Sequence, residues 1–156
     1  MAKRISHIGE DGAARMVDVS GKVPTLRRAV AEGYVYMGAG TLKALKENTG
    51  PKGEVLSVAR VAGIQAAKRT GELIPLCHPL PVEQVTVDFE LAPKGVRIVA
   101  MATITAKTGV EMEAYTAVAV AALTIIDMLK GIDPAMRIEG IRLLSKTGGK
   151  SAYKAK

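Results

Sequence analysis

Four groups of side chains in this sequence are of the types that move protons or hold anions. Asp127 interrupts a long apolar run, between Ile126 and Met128, with Lys130 three residues on. In a helix that spacing puts the two on one face. A carboxylate buried there has to be paired, which would perturb both groups and suit proton transfer; an ion pair near the surface at a helix end fits the same spacing. Glu113 precedes Asp127 by 14 residues, within about 40° of the same helical face but almost four turns away. With Glu111 it falls in a first turn, where carboxylates also complement the helix dipole. The third group is Leu73-Ile74-Pro75-Leu76-Cys77-His78-Pro79-Leu80-Pro81. Its three prolines fix φ and exclude a helix, holding Cys77 and His78 on a stiff, extended support. An imidazole there suits proton exchange or, when charged, a phosphate contact. Finally, Lys52 sits just ahead of a helix whose free N–H groups could share an anion with it, and Ser145-Lys146-Thr147-Gly148-Gly149-Lys150 is a glycine-containing basic stretch suited to phosphate.

These groups need elements to carry them. The pattern predicts a long helix from Val110 to Lys130, closed by Gly131, and another from Glu54 to Thr70, closed by Gly71. Ala59, Ala62, Gly63, Ala66 and Ala67 leave little bulk on the second, so another backbone can approach, within the fold or across a subunit boundary. Val85, Val87, Phe89 and Leu91 alternate with polar residues as a half-buried strand does. Ala92-Pro93-Lys94-Gly95 turns it into a second strand ending at Ala106, and a last strand runs from Met136 to Leu144 with Gly140 marking a bulge. A short strand is expected at Met16–Val19, a helix from an N-cap at Thr25 through Glu32 ended by Gly33, and a helix from Thr41 to Lys46. Strand pair, helix, strand is the latter part of a split β-α-β layout. The expected fold is α+β, with helices on one face of an antiparallel sheet. Residues 1–12 read as a mobile N-terminal segment, 13–151 as one domain and 152–156 as a basic tail.

Composition narrows the function. Apolar residues make up 48% and charged residues 24%, as in globular proteins that bury a core. There is one Phe, four Tyr and no Trp, which argues against the aromatic platforms that stack single-stranded nucleic acid. The net charge of +7 gathers near the C-terminus and in the acid-free stretch Val55–Gly71, where it can attract an anion or simply face solvent. Cys77 is the only cysteine, so no intramolecular disulfide forms, and a reducing cytoplasm fits. Cys77 and His78 make a poor metal pair, since neighbours on an extended chain diverge and the only other histidine is His7. The longest uncharged stretch, Ala114–Ile126, falls short of the ~20 residues a bilayer needs. No membrane association is expected.

Taken together, Lys52-Gly53-Glu54, Ala62 through Thr70, Leu73 through Leu80, Lys107-Thr108-Gly109-Val110-Glu111-Met112-Glu113-Ala114, Asp127-Met128 with Lys130, and Leu143 through Lys150 resemble one family closely. It is the MoaC family, the cyclic pyranopterin monophosphate synthases of molybdenum cofactor biosynthesis. The resemblance spans Met16 to Ser151 and implies a ferredoxin-like fold. It also implies a lyase that rearranges 3',8-cyclo-7,8-dihydro-GTP into the pyranopterin, closing a cyclic phosphate with loss of pyrophosphate. The implied assembly is a homohexamer, a trimer of dimers with the site at the dimer interface. Carried over by position, Asp127 is an acid/base residue and Lys52 and Lys130 are catalytic lysines. Leu76, Cys77, His78, Met112, Glu113 and Glu111 line the substrate site, and Arg27, Lys68 and Lys146 meet phosphates.

That chemistry suits these residue types. Opening and reclosing aminal-like rings needs proton transfers that carboxylate, imidazole and amine groups supply with no redox cofactor required. Attack of a ribose hydroxyl on the α-phosphate needs positioning and cations at the developing charge, and a divalent ion accompanying the triphosphate is compatible with it. The rival reading is a basic nucleic-acid-binding protein using Arg60, Lys68, Arg69 and the C-terminal lysines. It explains the charge but neither the proline-fixed Cys77-His78 segment nor Asp127. An assembly scaffold without activity is a third reading, under which losing Lys52 or Lys130 would be silent.

Overall fold

A computed structural model describes residues 11–156. In chain order it contains β1 (Thr25–Tyr36), α1 (Ala39–Lys46), α2 (Val55–Lys68), α3 (Thr70–Leu73), β2 (Gln84–Ala92), β3 (Gly95–Ala106), α4 (Glu111–Leu129), β4 (Arg137–Thr147) and β5 (Tyr153–Lys154). The strands form one antiparallel sheet in the order β2-β3-β1-β4-β5. Without the short β5, the four main strands have the ferredoxin-like arrangement, with β1 and β3 central. The expected α+β fold is what the chain adopts.

One face of the sheet carries the core. Ala29, Ala31, Val35, Val87, Ile98, Ala100, Ala102 and Ile104 are buried against Ala114, Ala117, Val118, Ala121, Ala122 and Ile125 of α4. Alanines on both sides let the helix lie close to the strands. α2 comes closer still to α4: a Cβ on Gly63 would stand 2.8 Å from the Ala117 carbonyl oxygen. The small-residue side of α2 is therefore spent within the fold. α4 is long and apolar enough to cross a membrane by length and composition, but its inner side is committed to this core. The outer face of the sheet holds an ionic ladder across four strands. Arg97 bonds both Glu90 and Glu32, and Arg142 bonds Glu32 from the other side at 2.7 Å, so the one buried carboxylate of the ladder is fully paired.

Three local expectations are corrected. The helix placed at Thr25–Glu32 is the central strand β1. Its residues alternate, Ala29, Ala31 and Val35 facing the core and Glu32 the opposite side, and that period-two pattern outweighs the capping signal at Thr25. Gly33 does not end a helix there. It makes room for α4 and β4, since a Cβ would meet Val118 Cγ1 at 2.8 Å and Ile141 Cγ1 at 3.0 Å. The strand expected at Met16–Val19 is an irregular strap, with a lone bridge at Ala14. Gly71 lies within α3 rather than capping α2; its lack of a side chain admits Pro79, whose Cα would be 2.9 Å from a Cβ. The bulge expected at Gly140 is present: its φ is +64°, and the β1–β4 register shifts between Glu32 and Tyr34. The expectation of a mobile N-terminus falls almost wholly on residues outside those described.

Candidate functional site

The N-terminal end of α4 opens onto two adjoining cavities. The larger, about 430 Å³, is lined by Leu76, Cys77, His78 and Leu80 from the proline segment, by Thr108 and Gly109, by Glu111, Met112 and Glu113 of α4, and by Val17, Val19 and Lys22 of the strap. A tight turn, Cys77 N–H donating to the Ile74 carbonyl at 3.0 Å, replaces the extended support expected there. Cys77 and His78 line the same cavity instead of diverging. The smaller cavity, about 160 Å³, is lined by Arg27, Arg28, Lys146, Lys150, Thr147, Gly149 and Ser151, and it shares Gly109 and Glu111 with the larger one. The start of α4 borders the smaller cavity through Gly109, Val110 and Glu111.

Electrostatics divide the two. In the larger cavity Glu113 is 3% exposed. Burial pushes its carboxyl up to about 7, a hydrogen bond from its own backbone N–H opposing the shift and the Glu111 charge adding to it. Burial, then the Glu113 charge, also raises the Cys77 thiol. His78 donates from Nε2 to the Val17 carbonyl at 2.9 Å. At the junction Lys146 Nζ pairs with Glu111 at 2.8 Å, and the Glu111 carboxylate lies against Gly109, where a Cβ would collide with it. Arg27 is fixed by donating to the carbonyls of Ala106 at 2.9 Å and Lys107 at 3.3 Å. Four cations against one carboxylate give the smaller cavity a net positive lining of the kind that suits an anion.

The remaining trio stands elsewhere. Lys52 Nζ donates to Asp127 Oδ2 at 2.8 Å and to the Asp127 carbonyl at 3.1 Å, and Lys130 Nζ donates to Oδ1 at 2.7 Å. Asp127 is exposed, not buried in the apolar run, because it falls on the outer side of α4 next to its end. Lys130, then Lys52, hold its carboxyl down at about 2. This is a surface ion triad, the second of the two arrangements its spacing allows. Asp127 is 15 residues from Met112, roughly 22 Å along the helix. One chain therefore brings Leu76, Cys77, His78, Glu111, Met112, Glu113, Arg27 and Lys146 together and leaves Asp127, Lys52 and Lys130 at the far end. Lys68, exposed in the last turn of α2, lines neither cavity.

Several lining residues escaped the sequence reading. Arg28 had no signal beyond its neighbour Arg27, whereas Lys150 stands in the basic stretch read as suited to phosphate. Val17, Val19 and Lys22 gave none, because only a path along the cavity's outer wall, set by distant partners, brings them in. Among the described residues no group of three or more His, Cys, Asp or Glu side chains comes together as a metal site.

Fold and cavities define a ferredoxin-like α+β protein with a cation-lined cavity beside an acid- and imidazole-lined pocket. The chain belongs to the MoaC family, whose profile matches residues 16–149. It is 55% identical over 147 residues to the cyclic pyranopterin monophosphate synthase of Novosphingobium aromaticivorans, covering 94% of each chain. It is 55% identical over 148 residues to that of Corynebacterium glutamicum, 95% of each. With cyclic pyranopterin monophosphate synthase 3 of Mycobacterium tuberculosis it shares 57% over 152 residues, 96% of this chain and 85% of the relative.

Proposed function

We propose that this protein is a cyclic pyranopterin monophosphate synthase, a lyase that converts 3',8-cyclo-7,8-dihydro-GTP to cyclic pyranopterin monophosphate and pyrophosphate. The observation that carries this reading is the junction at Gly109 and Glu111, where a pocket of ring size meets a four-cation seat. A nucleotide laid across it puts its bicyclic ring beside Cys77, His78 and Glu113 and its triphosphate among Arg27, Arg28, Lys146 and Lys150. In the cyclising step a ribose hydroxyl attacks the α-phosphorus, its proton passes to a base, and the bond to the β-phosphate breaks as pyrophosphate leaves. Glu113, titrating near neutrality, can hold or give a proton in the preceding ring rearrangement. The cations at the phosphates are the protein's own, so the proposal needs no protein-held cofactor; a divalent ion can travel with the triphosphate.

The working unit is a pair of chains. Along the outer side of α4, Met112, Tyr115, Ala119 and Leu123 form an apolar stripe that ends in Asp127 and Lys130. Leu123 is 56% exposed, and Val58 and Val61 of α2 are exposed on the same helical layer. Two such stripes packed antiparallel about a two-fold axis near Ala119 would bury these residues and set the partner subunit's Asp127 opposite Met112. Each cavity then gains the partner subunit's Lys52 and Lys130. Three pairs make the homohexamer, in a reducing cytoplasm where Cys77 stays a thiol. Incubating purified protein with the cyclised GTP and identifying products tests the reaction; absence of pterin and pyrophosphate would refute it. Polynucleotide binding that falls steeply with salt, without turnover, would instead favour the nucleic-acid reading.

A further inference from the structure

We propose that residues 17–22 are a lid over the ring pocket and that Lys107 is the positioning residue that closes it; the proposal rests on the assignment of that pocket to the substrate ring. The strap, almost wholly exposed on its other side, forms an outer wall of the cavity through Val17, Val19 and Lys22. It has almost no packing of its own. From residue 11 to residue 24 nothing is buried, and only Val17 and Val19 are half-buried. Two side chains from outside the strap hold it by its backbone: Lys107 Nζ donates to the Ser20 carbonyl at 2.7 Å, and His78 Nε2, from the cavity wall, to the Val17 carbonyl at 2.9 Å. Within the strap, Asp18 accepts the Ser20 N–H at 2.8 Å and Lys22 N–H donates to the Val19 carbonyl at 3.0 Å, so it moves as one preformed turn. A segment fixed, among the described residues, by two side-chain hydrogen bonds and little apolar area opens locally far more readily than the sheet beneath it.

Opening admits a bulky anionic substrate. Closing brings Lys22 over it and retains it in the pocket. Lys107 contacts the lid's backbone rather than the pocket, since it does not line the cavity. Lys107→Met releases the lid while leaving the pocket's chemistry in place.

The test combines turnover of the cyclised GTP with trypsin nicking after Arg15 and Lys22, which both lie in or beside the strap. In the wild type, substrate should slow nicking at Lys22. In Lys107→Met the nicking should quicken and KM rise about tenfold, the scale of one lost hydrogen bond, with kcat changing much less. Lys107→Arg, which still donates to a carbonyl, should restore both. Faster nicking with unchanged KM would show that the strap is not a lid. Unchanged nicking would show that Lys107 does not hold it. A fall in kcat alone, not rescued by arginine, would place Lys107 in the chemistry and overturn a positioning role. If substrate protects Lys22 yet the wild type makes no pterin, the lid stands and the proposed reaction fails.

Discussion

Glu113 and Asp127 lie on one helix, 14 residues apart, in opposite environments. Among the described residues no cation acts on the buried Glu113, whose carboxyl is pushed up to about 7, while Asp127 is exposed between two ammonium groups that hold it down at about 2. At neutral pH one end of α4 therefore offers an acid that still carries protons, and the other a permanently charged carboxylate with lysines attached. Two carboxyl groups driven apart in this way are suited to different roles in one reaction.

The pH dependence should follow Glu113. Its folded-state value lies above the ordinary 4.5, so the folded state binds the proton more tightly than the unfolded one. Its contribution to stability is complete below pH 4.5 and is lost as pH rises through about 7. Glu113→Gln should match the wild type in Tm at pH 4 and exceed it at pH 8, while lowering kcat about a hundredfold or more. A Tm difference that does not grow between those pH values would contradict a buried, proton-holding Glu113.

Asp127→Asn should retain substrate binding, lose product formation and leave Tm nearly unchanged. Its partners Lys52 and Lys130 are themselves exposed, and pairs of that kind contribute little to stability. Equilibrium binding of the cyclised GTP, measured beside single-turnover product formation, separates the two effects. Undiminished turnover would remove Asp127 from the mechanism.

The cation seat predicts product inhibition. Pyrophosphate should compete with substrate, and raising ionic strength should weaken it. Lys146→Ala should raise KM by roughly tenfold or more, because it removes a phosphate cation and also uncovers the Glu111 carboxylate. Inhibition that is noncompetitive and indifferent to salt would place the triphosphate elsewhere.

Gly63→Val should destabilise the chain by about 1–3 kcal/mol in urea unfolding, because the new side chain must push α2 away from the Ala117 carbonyl and Ala121. An unchanged midpoint would mean that α2 and α4 do not approach as closely as described.

Much of the fold was legible because its strongest signals are local. The alternation of Val85 to Leu91, the turn at Pro93-Lys94-Gly95 and the apolar run after Glu113 each report their own element. β1 was misread because a central strand with alanines and a glycine inside has little hydrophobic contrast; what makes it a strand is pairing with β3 and β4, far away in sequence. In the site, residue types were legible and environments were not. The spacing around Asp127 fits a buried acid and a surface ion pair equally well, and the fold makes it the second, whereas Glu113, inside the first turn of the same helix, is the one the fold encloses. Burial of a single helical position depends on which side faces the sheet, and the strap's path depends on Lys107 and His78 reaching its carbonyls. Neither is written in local spacing.

The central claim is that each site takes Glu113 from one chain and Asp127 from another, and subunit complementation tests it most directly. Asp127→Asn and Glu113→Gln chains, each nearly inactive alone, are refolded together in equal amounts. Half of the pairs are then mixed, each mixed pair holds one site with both carboxyl groups intact, and about a quarter of wild-type turnover should return. Turnover no greater than the sum of the two separate variants would contradict the shared site and return the chemistry to a single chain.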